Sequence, residues 1–220
     1  MDLISIEKTK IVSLFLVSNP AGQPDRAVMA DALAQRYNFA VAPKKIEDLR
    51  ADKVTFEEGA FEGTSIESLE VFSDGIVVAA KSPSEKIDGF IDDMLAWGEN
   101  VFGLRRVETQ TVNKIYESHL ILSSERKLFA VLDEMTKVQN KFQELLVNTS
   151  NIDAKVEPFG FSFAVDQTKI AGLKPISFRL ERKSDAAFAS NLFYSSAPLK
   201  TLDHLTLLES IEGLEHRTVL

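Results

Sequence analysis

The first candidate pair for acid–base chemistry is Glu117 and His119, which lie two positions apart. In a β-strand these two residues would point to the same face, because side chains alternate between the two faces of a strand. A carboxylate beside an imidazole can orient it for general acid–base catalysis. Two polar residues on the solvent face of a strand explain the same spacing. Glu117/His119 is therefore one candidate site for a hydrolase, beside this structural explanation.

The second pair is Asp203 and His204, which opens the last helix suggested by the sequence. With Ser195 or Ser196 nearby, the residue types of a Ser-His-Asp hydrolase are present. No G-x-S-x-G nucleophile elbow accompanies them, and adjacent Asp and His side chains on a helix point apart. Asp203/His204 is the second hydrolase candidate, with an ordinary helix start as the alternative.

Metal and cofactor motifs are incomplete in this sequence. Glu209, Glu212 and His216 fall at spacings of three and four on one helix, but that set lacks further ligands. The loop at 19–25 lacks the glycines and the Lys-Ser/Thr of a phosphate-binding loop. The chain contains no cysteine, which excludes thiolate ligands and disulfides and fits a reducing compartment. We predict no cofactor and no bound metal.

The charge is unevenly distributed over a chain of net charge −8. Between Glu47 and Asp74, nine acids stand against two bases, Arg50 and Lys53. Such a segment repels phosphate backbones, so direct nucleic-acid binding is predicted to be disfavoured. A solvated acidic face, or a charged contact with a protein partner or a second copy, explains the same pattern. The candidate contact residues are Glu57, Glu58, Glu62, Glu67, Glu70, Arg179, Arg182 and Lys183.

Nothing in the sequence suggests a membrane protein or a secreted one. The first ten residues mix charged and apolar side chains and lack the basic start and apolar run of a signal peptide. No window approaches the 18 or more apolar residues of a membrane span. We expect a cytoplasmic protein without membrane contact.

The strongest helical pattern runs from Ser124 to Leu146. Its apolar residues recur at spacings of three and four, as in a heptad seam: Leu128, Val131, Met135, Val138, Phe142 and Leu145. We predict a long central helix over 124–147. An isolated helix of this length does not bury its own stripe, so the flanking strands or a second copy must cover it.

The remaining elements predict an α+β fold with a largely antiparallel sheet and amphipathic helices packed on one face. Ser65–Phe72 and Ile76–Lys81 alternate around Asp74-Gly75, which predicts a hairpin. Ser82-Pro83-Ser84-Glu85 predicts a helix start with Ser82 as its cap. Three Phe-rich segments follow between 156 and 196 and read as sequential antiparallel strands. We expect one compact domain over 1–220, with 104–123 as the place where two lobes would divide, and no duplication at the residue level.

These observations favour a non-enzymatic cytosolic protein that acts through protein–protein contacts and self-associates, as a homodimer. One alternative is a small-molecule-binding fold with an apolar cavity between strands 156–195 and helix 124–147. Another is a hydrolase that uses Glu117/His119 or Asp203/His204. A fourth hypothesis is a charge-mimicking inhibitor that uses residues 47–74.

Overall fold

The protein is organised around an antiparallel sheet of eight strands, which confirms the α+β class. The computed structural model describes residues 1–19, 22, 25–107, 114–126, 128–152 and 154–214. The strands are β1 (Asp2–Leu14), β2 (Leu16–Ser18), β3 (Lys53–Phe61), β4 (Thr64–Phe72), β5 (Gly75–Ala80), β6 (Arg105–Val107), β7 (Lys114–Ser123), β8 (Gly160–Phe163), β9 (Phe178–Arg182) and β10 (Leu192–Ala197). The helices are α1 (Arg26–Arg36), α2 (Ile46–Arg50), α3 (Ser84–Phe102), α4 (Thr136–Ser150) and α5 (Thr201–Glu212).

The order of strands in the large sheet is β3-β4-β5-β1-β7-β10-β9-β8. The central pair is β1 and β7, with Thr9 opposite Ser118. The predicted hairpin is confirmed as β4 and β5, which pair from Phe72 opposite Gly75. A Cβ atom at Gly75 would lie 2.4 Å from the Ser13 carbonyl oxygen, so the close approach of β1 requires glycine there.

The two faces of the sheet differ, and the helices pack on one of them. On β7, Tyr116 packs against one buried cluster with α1 and α3, while Leu120 and Leu122 belong to a second cluster with α5. These three residues alternate with Glu117 and His119, which therefore point to the opposite side. We call that side the open face; its members belong to neither core cluster and include Lys8, Lys10, Val12, Val77, Glu117, His119 and Tyr194.

With the short elements β2, α2 and β6 set aside, the chain repeats one order of elements, βαβββα, in its two halves. β5 and β10 start 117 positions apart, and so do α3 and α5. At the same spacing, buried residues of α3 correspond to buried residues of α5: Ile87 to His204, Ile91 to Leu208 and Met94 to Ile211. The side chains differ within each pair, which is why the sequence shows no repeat although the architecture is repeated.

The N-termini of α3 and α5 meet at a buried contact between the two halves. The backbone N–H of Ser84 donates to Thr201 Oγ1 at 3.0 Å, and the backbone N–H of Thr201 donates to Ser84 Oγ at 2.8 Å. Both residues are buried, and each hydroxyl satisfies a helix N–H that has no partner within its own helix. The helix begins one residue later than predicted: Pro83, not Ser82, is the cap residue, and Ser84 is the first helical residue.

The predicted long helix over 124–147 is wrong in its first half. A 3₁₀ segment spans Ala130–Met135, and the α-helix covers only Thr136–Ser150. Leu128 and Phe129 are both buried in the second core cluster. The Ser124 hydroxyl donates to the Glu212 carboxylate at 2.6 Å. The chain before Thr136 is therefore held against α5 and the sheet. Leu128 and Phe129 are both buried there, and the α-helix does not extend back to them.

Candidate interaction site

Helix α4 carries a stripe of apolar side chains that face solvent. Met135 precedes the helix as its cap residue, and Val138, Phe142 and Leu145 follow on the same side. Their exposed fractions are 49%, 59%, 52% and 48%. No residue of α4 is buried. We call Met135, Val138, Phe142 and Leu145 the α4 stripe.

The side of α4 that approaches the body of the protein is mostly polar. Gln139, Gln143 and Leu146 are its half-buried residues. Gln143 Oε1 accepts a hydrogen bond from the Val156 backbone N–H at 3.2 Å. The helix therefore turns amide side chains toward its own chain and apolar side chains away from it, the reverse of an ordinary surface helix.

The first half of the protein provides an internal comparison for α4. Helix α1 occupies the same place in the βαβββα order. Its Ala30 is buried in the first core cluster, and Leu33 and Ala34 pack against that cluster. The packing of α1 on its own sheet is the arrangement that an amphipathic helix adopts when nothing else covers it. The exposed α4 stripe is therefore not required by the fold itself.

The predicted Glu117/His119 pair is present on the open face, and it includes a third residue. His119 Nε2 lies 2.7 Å from Glu117 Oε1, and His119 Nδ1 is hydrogen-bonded to the Tyr194 hydroxyl. The hydrogen bond from His119 lowers the pKa of Glu117, and burial raises the pKa of Tyr194. The three groups form a carboxylate–imidazole–phenol chain of hydrogen bonds, in which Glu117 orients the His119 ring toward the Tyr194 hydroxyl. Tyr194 could not be anticipated, because the pairing of β7 with β10 is not encoded locally.

The predicted Asp203/His204 set is not assembled as a triad. His204 is fully buried, whereas Asp203 is exposed. His204 Nδ1 lies 2.7 Å from Ser118 Oγ, and His204 Nε2 lies 2.8 Å from Ser195 Oγ. Ser195 donates its own proton to the Arg179 carbonyl at 2.8 Å, so it accepts from His204 Nε2–H and Ser118 donates to Nδ1.

This arrangement fixes His204 as a neutral imidazole. Burial lowers its pKa from 6.5 to about 4. Ser196, the other serine of the predicted set, pairs with His119 across the sheet and lies on the open face. The serine beside His204 is thus enclosed in the core, and the three groups form a polar link between β7, β10 and α5.

The five acids proposed as contact residues lie on β3, on β4 and in the turn between these two strands. All five are therefore near one edge of the sheet. Glu57, Glu58 and Glu62 are exposed. Glu67 lies 3.9 Å from Lys81 Nζ, and Glu70 lies 2.7 Å from Lys53 Nζ. Two of the five are therefore already paired within the chain.

The three proposed bases lie at the other end of the sheet and differ from one another. Arg179 is exposed and Lys183 pairs with Asp185. Arg182 contacts three aromatic rings, its guanidinium lying 4.5 Å from the Phe188 ring centre, and donates to the Pro158 carbonyl at 3.2 Å. β3 and β9 are six strand spacings apart, or about 29 Å. The acids and the bases therefore do not form a single site.

The Phe-rich segments divide their rings between the core and the surface: Phe161, Phe178 and Phe193 pack in the second cluster, whereas Phe159, Phe163 and Phe188 are exposed. Phe129 lies 6.1 Å from Phe161 and 5.5 Å from Phe193 between ring centres, with edge-to-face geometry. Phe178 is buried in the same cluster. Helix 124–147 was predicted to line a cavity together with these strands. In the structure it corresponds to α4, whose apolar stripe points away from the protein.

Other polar clusters in the described residues satisfy their own groups. Arg36 donates to both oxygens of Asp93 at 3.0 and 2.9 Å, and the Tyr37 hydroxyl donates to the same carboxylate at 2.7 Å.

Within the described ranges, no group of three or more His, Asp or Glu side chains is arranged to hold a metal ion. Glu212 instead binds the N-terminal ammonium at 2.6 Å, and His216 lies outside the described residues. No described helix is both long enough and apolar enough to cross a bilayer.

No protein-family model matches the chain, and no curated protein matches it. A comparison with solved structures finds Methanococcus jannaschii TBP, a TATA-binding protein, with a TM-score of 0.42 and 13% sequence identity. That alignment covers 95% of this chain and 98% of the other. At this score and identity, the likeness supports no inference about the activity of this chain.

The prediction that direct nucleic-acid binding is disfavoured conflicts with the matched structure, which is that of a TATA-binding protein, and we withdraw it; the likeness itself assigns no binding to this chain. The prediction relied on the acidic segment between Glu47 and Asp74, which covers only part of the surface. The open face carries Lys8 and Lys10 in a chain of net charge −8. An acidic segment in one part of the chain is therefore not a sufficient reason to exclude a class of partner.

Proposed function

We propose that this protein is a non-enzymatic, cytosolic protein that acts through protein–protein contacts made by the α4 stripe. The observation that carries the proposal is the outward orientation of the stripe in a helix whose counterpart, α1, is packed. A cysteine-free composition suits the reducing cytosol.

The exposed area of the α4 stripe sets the free energy that a contact can gain. Full burial of a Val, Leu, Met or Phe side chain contributes about 1.5–3 kcal/mol, so covering a half-exposed one contributes about 1 kcal/mol. Four such side chains supply about 4 kcal/mol, which is comparable with a millimolar affinity before the cost of association is included. A stable contact therefore needs the stripe together with neighbouring surface. Ile152, which follows α4 and is also exposed, extends the apolar surface.

Photo-crosslinking in cells that produce the protein tests this proposal whatever the identity of the partner. A photoreactive phenylalanine analogue replaces Val138 in the stripe and, as the matched control, Asn140 on the opposite side of the same helix. We expect covalent protein adducts from position 138 and few from position 140. Equal yields at the two positions, or no adduct at 138, would contradict the proposal.

A further inference from the structure

We infer that the partner of the α4 stripe is a second copy of this chain, bound with the two α4 helices antiparallel about a two-fold axis near residue 140. The inference rests on the proposed function, because it names the occupant of the same surface. Four features of the described residues support it: the spacing of the stripe, the sizes of its side chains, the position of the body and the charge of the helix.

The stripe is complementary to itself in the antiparallel direction. With the axis near residue 140, Met135 meets Leu145 of the second copy and Val138 meets Phe142 of the second copy. Each small or flexible side chain thus faces a larger or branched one, and alternating sizes across facing positions fill space well. A parallel pair would place Phe142 against its own copy and leave Val138 against Val138.

The position of the body favours the same orientation. At 3.6 residues per turn, Gln139, Gln143 and Leu146 lie about 90° around the helix from the stripe. Their half-buried side marks where the body lies. In an antiparallel pair about a perpendicular two-fold axis, both bodies lie on one side of the helices. A two-fold axis parallel to the helices would place the bodies on opposite sides.

The placement of the rest of both protomers on the same side of the helices matters, because the two α4 helices alone form only a short contact. Helix α4 has 15 residues and is about 22 Å long. A standard interface buries about 800 Å² on each partner, more than a stripe of four side chains provides. Antiparallel pairing allows the surfaces beside α4 to add to the contact, and two-fold symmetry doubles each contribution.

The charge on α4 permits two copies to approach. The whole chain carries −8, so most pairs of surfaces repel each other. Within α4, Lys137, Lys141 and Glu144 sum to +1, and Asp133 and Glu134 just before the helix bring the local sum to −1. Lys141 Nζ contacts both carboxylate oxygens of Glu144 at 2.8 and 2.9 Å. When two Lys141 residues approach at the outer edge of the pair, each brings its own Glu144, and the four charges offset one another.

Cysteine substitution tests the orientation cleanly, because the natural chain contains no cysteine. Packed helices lie about 8–10 Å apart, so cysteines at the edge of the pair are within reach of a short bismaleimide crosslinker. In the antiparallel pair, Lys141→Cys lies beside its own copy and is crosslinked to it. Glu134→Cys alone lies about 18 Å from its copy along the helix axis and is not crosslinked. A mixture of Glu134→Cys and Asn148→Cys, which face each other across the pair, forms the mixed dimer.

The mass of the purified protein is measured in parallel by light scattering. We expect a dimer of twice 24.5 kDa and at least a tenfold weaker association for Phe142→Glu, whose site is exposed and therefore tolerates the change without unfolding. A dimer in which Glu134→Cys crosslinks to Gln139→Cys, the pairing expected of parallel helices, would overturn the inference. So would a monomer at all concentrations. In that case, adducts of other proteins at position 138 in cells would leave the proposed function standing.

Discussion

His204 is a buried imidazole at a position where the first half of the protein has an aliphatic residue, Ile87. It binds two serines from neighbouring strands, so its polar atoms are satisfied inside the core. In the first half, Thr9 lies opposite Ser118, and its hydroxyl is buried without a hydrogen-bond partner among the described residues. The two halves therefore solve the same packing problem with different chemistry. Burial, not catalysis, explains the lowered pKa of the imidazole.

The stability of the fold should depend on pH through His204. Its pKa falls from 6.5 to about 4 on burial, so the unfolded chain binds the proton first as the pH falls. The contribution of neutral His204 is fully present above pH 6.5 and is lost between pH 6.5 and about 4. The loss amounts to about 3 kcal/mol in the free energy of unfolding.

Urea unfolding of the natural protein and of His204→Ile at pH 7 and pH 4 measures this effect. The variant carries the residue that stands at the equivalent position of the first half. Carboxylates titrate in both proteins, so the difference between the two pH dependences isolates the histidine. We expect the natural protein to lose about 3 kcal/mol more than the variant. Identical pH dependences would show that His204 does not titrate between the two states.

At the scale of elements, α4 shows what a local pattern can and cannot predict. The heptad spacing of Val138, Phe142 and Leu145 correctly indicates a helix, because helical periodicity depends on neighbours in sequence. The start of the helix is wrong, because burial of Leu128 and Phe129 depends on β7, β10 and α5. The direction in which the stripe points is also decided by distant residues. Sequence therefore locates the candidate site but not its exposure.

Two phenylalanines near each other in sequence should respond differently to the same substitution. Phe129 is buried in the second core cluster, whereas Phe142 is half-exposed on α4. Replacing a buried phenylalanine by alanine costs about 3–5 kcal/mol, because a cavity remains. We expect that loss for Phe129→Ala and less than about 1 kcal/mol for Phe142→Ala in the monomer.

Chemical denaturation at submicromolar concentration, where a weak dimer dissociates, measures both variants. The two variants together distinguish Phe129, which stabilises the fold, from Phe142, which is proposed to contact a partner. A loss of about 3 kcal/mol or more for Phe142→Ala would mean that the stripe packs within its own chain.

At the scale of the molecule, one sheet is shared by two βαβββα halves. The α+β class, the hairpin and the antiparallel strands were predictable, because alternation and turn residues are local signals. The repeat was not, because corresponding positions such as Ile87 and His204 keep burial without keeping residue type. The sequence indicates the Glu117 and His119 members of the polar cluster, because both lie on β7. It does not indicate Tyr194, which lies on another strand 75 positions away.

The buried contact between Ser84 and Thr201 should couple the two halves energetically. Ser84→Ala and Thr201→Val each leave one buried helix N–H without its acceptor, at a cost of about 1–2 kcal/mol. We expect both single variants to show this loss in equilibrium unfolding and the double variant to lose a different amount from the sum, with a coupling of about 0.5 kcal/mol or more. Strict additivity would mean that the two hydroxyls act independently. Thr206→Val, exposed on α5, is the control.

Oxidative footprinting tests the role of the α4 stripe most directly. Hydroxyl radicals oxidise Met135, Phe142 and, as an internal reference, Leu202, which is 62% exposed on α5. The protein is labelled inside the cells that produce it and, separately, after purification at high dilution. We expect Met135 and Phe142 to be oxidised severalfold more slowly in the cell relative to Leu202. Equal relative rates in the two samples would show that nothing covers the stripe and would contradict its role as a contact surface.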